Sequence, residues 1–291
     1  MKQSKQAIPV HSIGEESPLG IEFSWMEMTD DYTEIIHKTH KNEVHRDDYY
    51  MFLFIESADA VLTVDFEEIE WHGESVFYVR PGQVHFVSSL RETRGWWMAI
   101  DTILIENIYK SLFEGRFSTQ RPVSIDAATM AKLRETALLL NVSIEAPATR
   151  FSNVVISNLA NVFIGTIAEQ YARQDDNSQY GKSRSALIAH RFKDLLSDNF
   201  KAIKSPAEYA GLLNYSLSHL NESVKNVTGF PVSYWIHQQV VLEAKRLLYY
   251  TDLDVKEIAF RLGYDDHTYF SRLFSKVVGV SPNVFRRKLH E

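Results

Sequence analysis

The sequence contains no cysteine, which removes disulfides, thiolate metal sites and a thiol nucleophile together. Glycine and proline are sparse, at 12 and 8 of 291 residues, so a collagen-like or low-complexity chain is excluded. No uninterrupted apolar run approaches the ~18–20 residues of a membrane helix. The opening MKQSKQAIPVHSIGEES has lysines but no apolar stretch, unlike a signal peptide. No nucleotide-binding glycine loop or phosphoacceptor receiver pattern is present, so neither a cofactor nor an ATP-driven mechanism is expected. These absences leave a cytoplasmic, non-membrane globular chain, long enough for about two domains of ~100–200 residues each.

Positive charge is also short, with 31 Lys+Arg against 38 Asp+Glu and a net charge of −7. The deficit is uneven. Residues 1–184 carry 17 basic and 27 acidic side chains, whereas residues 185–291 carry 14 and 11. An acidic body would repel a polyanion that a mildly basic C-terminal part could approach.

Up to about residue 105 the chain is rich in short β-type runs, YYMFLFI, AVLTVDF, SVFYVRPG, VHFVSS and WWMAI. Closely spaced strands of this kind predict an antiparallel sandwich or barrel, at about 20–105. From Asp126, a candidate N-cap, the period becomes helical. Met130, Leu133, Ala137 and Leu138, with Leu140 or Asn141, form one stripe. After a turn at Pro147, Phe151, Val155, Leu159, Val162, Phe163 and Ile167 form another. Val154, Ile156 and Ile164 fall off that second stripe, so this helix packs either under the sheet alone or also on a partner subunit. The polar residues that follow, 173–184, read as a linker between an N-terminal domain (1–172, helices about 126–172) and a C-terminal one (185–291).

The C-terminal part contains an internal repeat. Glu208, Ala210, Leu213 and Tyr215 align with Glu257, Ala259, Leu262 and Tyr264, and Leu220, Val224 and Gly229 with Phe270, Phe274 and Gly279. Ser205 with Glu208, and Asp254 with Glu257, are candidate capping boxes, and Pro206 suits a first helical turn. Asn214 and Gly263 suit the left-handed residue that ends a helix. Ser216 and Asp265 could cap a second helix that Gly229 and Gly279 would terminate. Tyr269, Phe270, Leu273 and Phe274 are expected in the core. This is helix-turn-helix grammar written twice, at about 206–227 and 255–277. A helix of roughly 18–20 residues, ~27–30 Å long, joins the copies, close to the ~34 Å between successive major grooves on one face of DNA.

The run EAKRLLYYTDLDVKEIAFRLGYDDHTYFSRLFSKVVGVSPNVFRR, residues 243–287, resembles the C-terminal signature of the AraC/XylS family of transcription regulators. The shared elements are A-x-x-L-L, D-x-x-x-x-E-I-A-x-x-x-G-Y, Y-F-x-R-x-F-x-K and G-x-S-P-x-x-F-R. The resemblance covers about the last 105 residues and implies an all-α domain of two helix-turn-helix motifs joined by a long helix. It implies double-stranded DNA as partner, with RNA polymerase and a second copy of the chain as further candidates. On the outer face of the second helices, Ser218, His219, Asn221, Glu222, His267, Thr268, Ser271 and Arg272 are candidates to face bases, Arg272 foremost because a guanidinium pairs bidentately with guanine. Leu217 and Asp266 lie on the same faces. Lys225, Lys245, Lys276, Arg286, Arg287 and Lys288 are candidates for phosphates.

The N-terminal segment at about 32–100 resembles the cupin-like domain that commonly precedes this reader and binds an effector, dimerises or both, with RPGQVHFV close to its P-G-x-x-H turn. Alternate strand residues would line a pocket, but the inward alternation is open. His45, Tyr50, Phe52, Phe77 and His85 are the candidates, with Phe54 and Val79 beside them. Of Trp96 and Trp97, one points to each face. Among His37, His40, His45, His72 and His85 no two-His-one-carboxylate set emerges, because His37 and His40 sit three apart and Arg46 follows His45. No metal, catalytic residue or enzyme activity is therefore expected. A metal-dependent cupin enzyme with a DNA-binding tail and a purely protein-binding N-terminal module are the competing readings.

Overall fold

The computed structural model describes residues 7–13, 17, 19–28, 45–114, 120–176 and 183–288. His37, His40 and the side chain of Lys288 lie outside the described positions. The chain divides into two compact units, one built from 9–113 and 118–177, the other mainly from 178–291.

The first unit is a sheet of β1 (Val10–His11), β2 (Ile21–Met28), β3 (His45–Asp47), β4 (Tyr50–Val64), β5 (Glu67–His72), β6 (Ser75–Val79), β7 (Val84–Ile100) and β8 (Val123–Ser124). The order is β1-β3-β7-β4-β6-β8, with β2 also on β7 and β5 also on β4. β1 lies parallel to β3 and the other pairings are antiparallel. Among the described residues no pairing closes the sheet into a barrel, so of the expected sandwich or barrel they show an open, largely antiparallel sheet. The frame is β4 and β7, strands of 15 and 17 residues, whose pairing is irregular at Ile55/Ser57, Ser57/Asp59 and Val61/Leu62. Such bulges bend a strand and re-aim its side chains.

Among the described residues, the α-helices of this unit are α1 (Asn107–Glu114), α2 (Ala127–Glu145) and α3 (Ser152–Asp176). Asp126 caps α2, accepting from the Thr129 amide at 2.7 Å. Met130, Leu133, Ala137 and Leu140 are buried as the period predicts, whereas Leu138 is exposed. In α3 the expected stripe is displaced. Phe151, Val155 and Val162 are exposed, and Ile156, Ala160, Phe163, Ile164 and Ile167 are buried. The helix carries two interleaved apolar stripes, and the buried one holds Phe163, whose ring meets Phe23 and Phe54 of the sheet edge-on. The bidentate pair of Arg134 with Glu56, at 2.9 and 2.8 Å, fastens α2 to β4. The predicted linker is shorter than 173–184, since α3 runs to Asp176 and the next helix starts at Arg184. An Arg173–Glu169 pair one turn apart supports that polar last turn.

The second unit is α4 (Arg184–Asn199), α5 (Pro206–Leu212), α6 (Leu217–Thr228), α7 (Val232–Tyr250), α8 (Val255–Arg261), α9 (His267–Val278) and α10 (Pro282–Lys288). α5 and α8 start 49 residues apart, α6 and α9 50 residues apart, so the repeat is structural and its one-residue insertion falls in the turn. Asp254 and Glu257 form the reciprocal capping box of α8. At α5, Ser205 makes no side-chain cap bond, and Pro206 removes one of the donors such a cap would serve. Ser216 caps α6, but Asp266 rather than Asp265 caps α9, accepting from the Thr268 amide. Phe270, Leu273 and Phe274 are in the core, while Tyr269 is 56% exposed. It stands in the first turn of α9 beside Tyr264, and its neighbour Phe270 takes the inward direction.

The second copy touches the turn that leads into the first. Gly263, at φ +77°, ends α8 so close to the turn after α4 that a Cβ would stand 1.9 Å from the Lys201 carbonyl oxygen. Beside it, the Lys204 ammonium donates to the Phe200 and Lys201 carbonyls and lies 5.0 Å over the Tyr264 ring. Burial lowers the Lys204 pKa to about 8. Gly263→Ala combines a left-handed strain of ~1–3 kcal/mol with that overlap. It should lower the unfolding free energy by about 2 kcal/mol or more in chemical denaturation, whereas Gly229→Ala, with nothing near its Cβ position, should be the milder change.

Candidate functional sites

α6 and α9 are the two second helices of the repeat, and each buries one stripe. Leu220, Ser223 and Val224 point inward in α6, and Phe270, Leu273 and Phe274 in α9. The opposite faces follow from the helical period. Ser218, Glu222 and Lys225 are exposed on α6, as are His267, Thr268, Arg272 and Lys276 on α9. His219 is partly covered by the Tyr215 ring, 5.3 Å away, and the Ser271 hydroxyl donates to the His267 carbonyl. Leu217 is 41% exposed in the first turn of α6.

Some of the expected side chains hold the fold together. Asn221 Oδ1 accepts from the Val232 amide at 3.1 Å. Pro231 at the N-cap of α7 offers no side-chain acceptor, so Asn221 supplies one from the neighbouring helix. The Arg286 guanidinium, a phosphate candidate, instead donates to the carbonyls of Leu248, Thr251 and Leu253. It satisfies acceptors at the C-terminal end of α7, where a cation is favourable. The Lys245 ammonium lies 5.8 Å over the Phe285 ring and burial lowers its pKa. Lys225, Lys276 and Arg287 are exposed. The separation of the two faces is set by α7, whose 19 residues give ~28 Å at 1.5 Å per residue.

In the sheet unit, the alternation left open by the sequence resolves against two candidates. Tyr50 and Phe52, with Phe54, point into the core shared with the helices. Met51, Leu53 and Ile55 face the other way and line a cavity of about 230 Å³ with Trp71, Leu90 and Trp97. Phe77 is buried in the core behind that face. Val79 is part of the wall, and Trp96 and Trp97 take opposite faces, Trp96 stacking on Phe23. The wall is apolar except for Thr93, His45 and His85.

Those histidines belong to a cluster that the sequence did not disclose. Register places His45 directly opposite His85, and His11 directly opposite Asp47. Strand period places His45 and Asp47 on one face. The Asp47 carboxylate is thus met by His85 Nε2 at 3.4 Å, His45 Nε2 at 3.5 Å and His11 Nδ1 at 3.8 Å. The His11, His45 and Asp47 donor atoms lie within 4.8 Å of one another, a separation that could hold a metal ion. Asp47 is 2% exposed, and no donor reaches either of its carboxylate oxygens in hydrogen-bonding geometry. Burial pushes its pKa up to about 6, against the opposing pull of His11 and the nearby Tyr49 hydroxyl. Burial, with His45 alongside, lowers His85 to about 4. His85 Nδ1 faces the Gln83 carbonyl oxygen at 3.3 Å. The legible signal was His45-x-Asp47, but His11 was recoverable only from strand register.

Residues 209–288 match the family described as a helix-turn-helix domain. Over 258 residues, 87% of this chain and 81% of the relative, the sequence is 23% identical to the uncharacterized HTH-type transcriptional regulator YdiP of Escherichia coli K12. It is 37% identical over 104 residues to the arabinose operon regulatory protein of Salmonella typhimurium LT2, covering 36% of each chain. With YfiF of Bacillus subtilis, another HTH-type regulator, the match spans 45% of the relative's length, so these latter two likenesses cover less than half of either relative. Among solved structures, the C-terminal domain of AraT, a response regulator from Geobacillus stearothermophilus, is 33% identical over 36% of this chain and 88% of that one, with a TM-score of 0.34.

Replacing Arg272 by Ala should weaken binding to a selected DNA duplex by about 1–3 kcal/mol and relax one base position. Lys276→Ala should weaken binding evenly across sequences and lower the slope of log K against log salt by about 1. Competition binding at several salt concentrations measures both.

Proposed function

We propose that the chain is, through its C-terminal part, an AraC-type helix-turn-helix transcription regulator, which its similarity to such proteins supports, and that it is sequence-specific, with a sheet unit that senses a small, largely apolar molecule. The observation that carries the DNA reading is the duplicated motif on one helix. α6 and α9 present polar outer faces from a common scaffold, and α7 separates them by nearly a turn of DNA. Arg272, His267, Thr268, Ser218 and Glu222 are the candidates to read bases, and Lys225, Lys276 and Arg287 those to meet phosphates. One chain then does what a simple helix-turn-helix repressor does as a dimer.

The effector reading rests on the cavity. Its apolar wall with a few polar groups at one end has the make-up of a small-molecule site, and its ~230 Å³ suits a compact ligand. For such a ligand to control DNA binding it must differ in affinity between DNA-competent and incompetent states. A second copy of the chain is a further partner. Leu139, Val142, Val154 and Val162 on α2 and α3, and Phe151 just before α3, are large apolar residues left exposed, and exposed apolar residues are what a subunit contact would cover. If the sheet unit is instead only an association module, these residues are the feature that would serve it.

Selection of random duplexes with the full-length protein tests the DNA reading. The expected result is enrichment of a motif spanning two major-groove turns, with one position relaxed in Arg272→Ala. No enrichment by folded protein, repeated with residues 185–291 to remove any effector requirement, would sink it. For the cavity, a thermal-shift screen of small apolar compounds should yield ligands whose stabilisation is lost when Leu53→Trp fills the space. Stabilisation that survives Leu53→Trp would place the ligand elsewhere.

A further inference from the structure

Asp47 and the three histidines around it have a geometry that neither hydrogen bonding nor simple packing accounts for. Hydrogen bonds from imidazole to carboxylate close at ~2.7–3.0 Å. Here the nitrogen–oxygen separations are 3.4, 3.5 and 3.8 Å. The His11, His45 and Asp47 donor atoms, all within 4.8 Å of one another, are spaced so that one ion could bind between them. The tautomer of His85 adds a second argument. A carbonyl oxygen only accepts, so the Nδ1 facing Gln83 carries the ring proton and Nε2 is left with its lone pair. That lone pair faces an oxygen of a buried carboxylate to which no hydrogen bond is made. Two lone pairs directed at one another in a buried place are repulsive unless a cation stands between them.

We propose that His11, His45 and Asp47 bind one divalent first-row transition ion of the zinc type at the polar end of the apolar cavity, with His85 beside the carboxylate's other oxygen. Two imidazoles and one carboxylate suit such an ion, whereas calcium and magnesium take all-oxygen shells. Neighbouring order fits this role. The backbone bonds Arg46 N to Pro9 O and Asp48 N to His11 O hold the first strand against the third. His11 and His45 stack at 4.1 Å, so both present an edge to the same oxygen, Asp47 Oδ1. Since His45 and His85 also line the cavity, the ion would tie residues 9–11 to the wall of the effector pocket. The inference is independent of the DNA reading and stands or falls apart from it.

The test uses full-length, tag-free protein stripped with a chelator and titrated with Co²⁺, then with Zn²⁺ in competition. Wild type is expected to take up one equivalent per chain with the intense visible bands of tetrahedral Co²⁺, which Zn²⁺ displaces. Asp47→Asn and His11→Ala should each weaken binding by about 10–100-fold or more, and His72→Ala, at an exposed histidine outside the cluster, should not. In metal-free protein Asp47→Asn should raise Tm, because it removes a buried carboxylate with no donor. A role for Asp47 as a hydrogen-bonding strut would make the same substitution lower Tm. Should Asp47→Asn fail to fold, His11→Ala on its exposed strand carries the comparison alone. Absence of one-equivalent uptake by wild type, or full affinity in the variants, overturns the site.

Discussion

A duplicated helix-turn-helix works as one unit only if its two second helices keep their distance, and in this protein α7 joins the motifs that carry them. Burial rather than propensity holds it. Val240, Val241, Ala244 and Leu248 pack inward, and Glu243 and Arg246 form an ion pair at 2.9 Å that is almost wholly buried. Such a pair adds little net stability over apolar residues, but losing one partner strands the other charge. Both ends of the helix are also tied to the motifs it joins. Asn221 of α6 accepts from its first turn, and Arg286 of α10 closes the carbonyls around its last. The Gly263–Lys201 approach and the Lys204 ammonium then fasten the second motif to the turn that precedes the first. The unit therefore behaves as one block, although it is assembled from a duplicated part.

Long sheet strands impose a different constraint. Because side chains of a strand point alternately to opposite faces, one stretch of β4 serves two interiors. Tyr50, Phe52 and Phe54 fill the space under the helices, and Met51, Leu53 and Ile55 bound the cavity. Both sets are apolar, so the strand does not show the inside–outside alternation of a half-solvated sheet.

That double burial explains what could be read in advance. The two helix-turn-helix motifs were legible because their signals are local: Asp254 with Glu257, Pro206, Asn214 and Gly263 each announce a start or a stop within a few residues. The repeat offset then fixed their spacing. Strand existence was legible for the same reason, but not which side faced inward, since Phe52 and Leu53 are equally apolar. The α3 stripe misled because two apolar stripes share one helix, and the choice between Val155 and Ile156 is made by Phe23 and Phe54 far away in sequence. Arg286 looked like a phosphate contact because charge is visible in a sequence and the acceptors at the end of α7 are not. The Asp47 cluster needed the register of two strands against a third, information that no short window contains.

The single extra residue in the second turn carries a consequence of its own. The motifs are alike in frame but not in register, and their outer faces share almost no side chains: Ser218, Glu222 and Lys225 on one, His267, Thr268 and Arg272 on the other. A dimer of identical readers sees the same half-site twice and has no head or tail. Two unlike readers on one rod make an arrow. On the proposed reading, the DNA sequence they would fit is asymmetric, and it would dictate which end of the molecule points upstream.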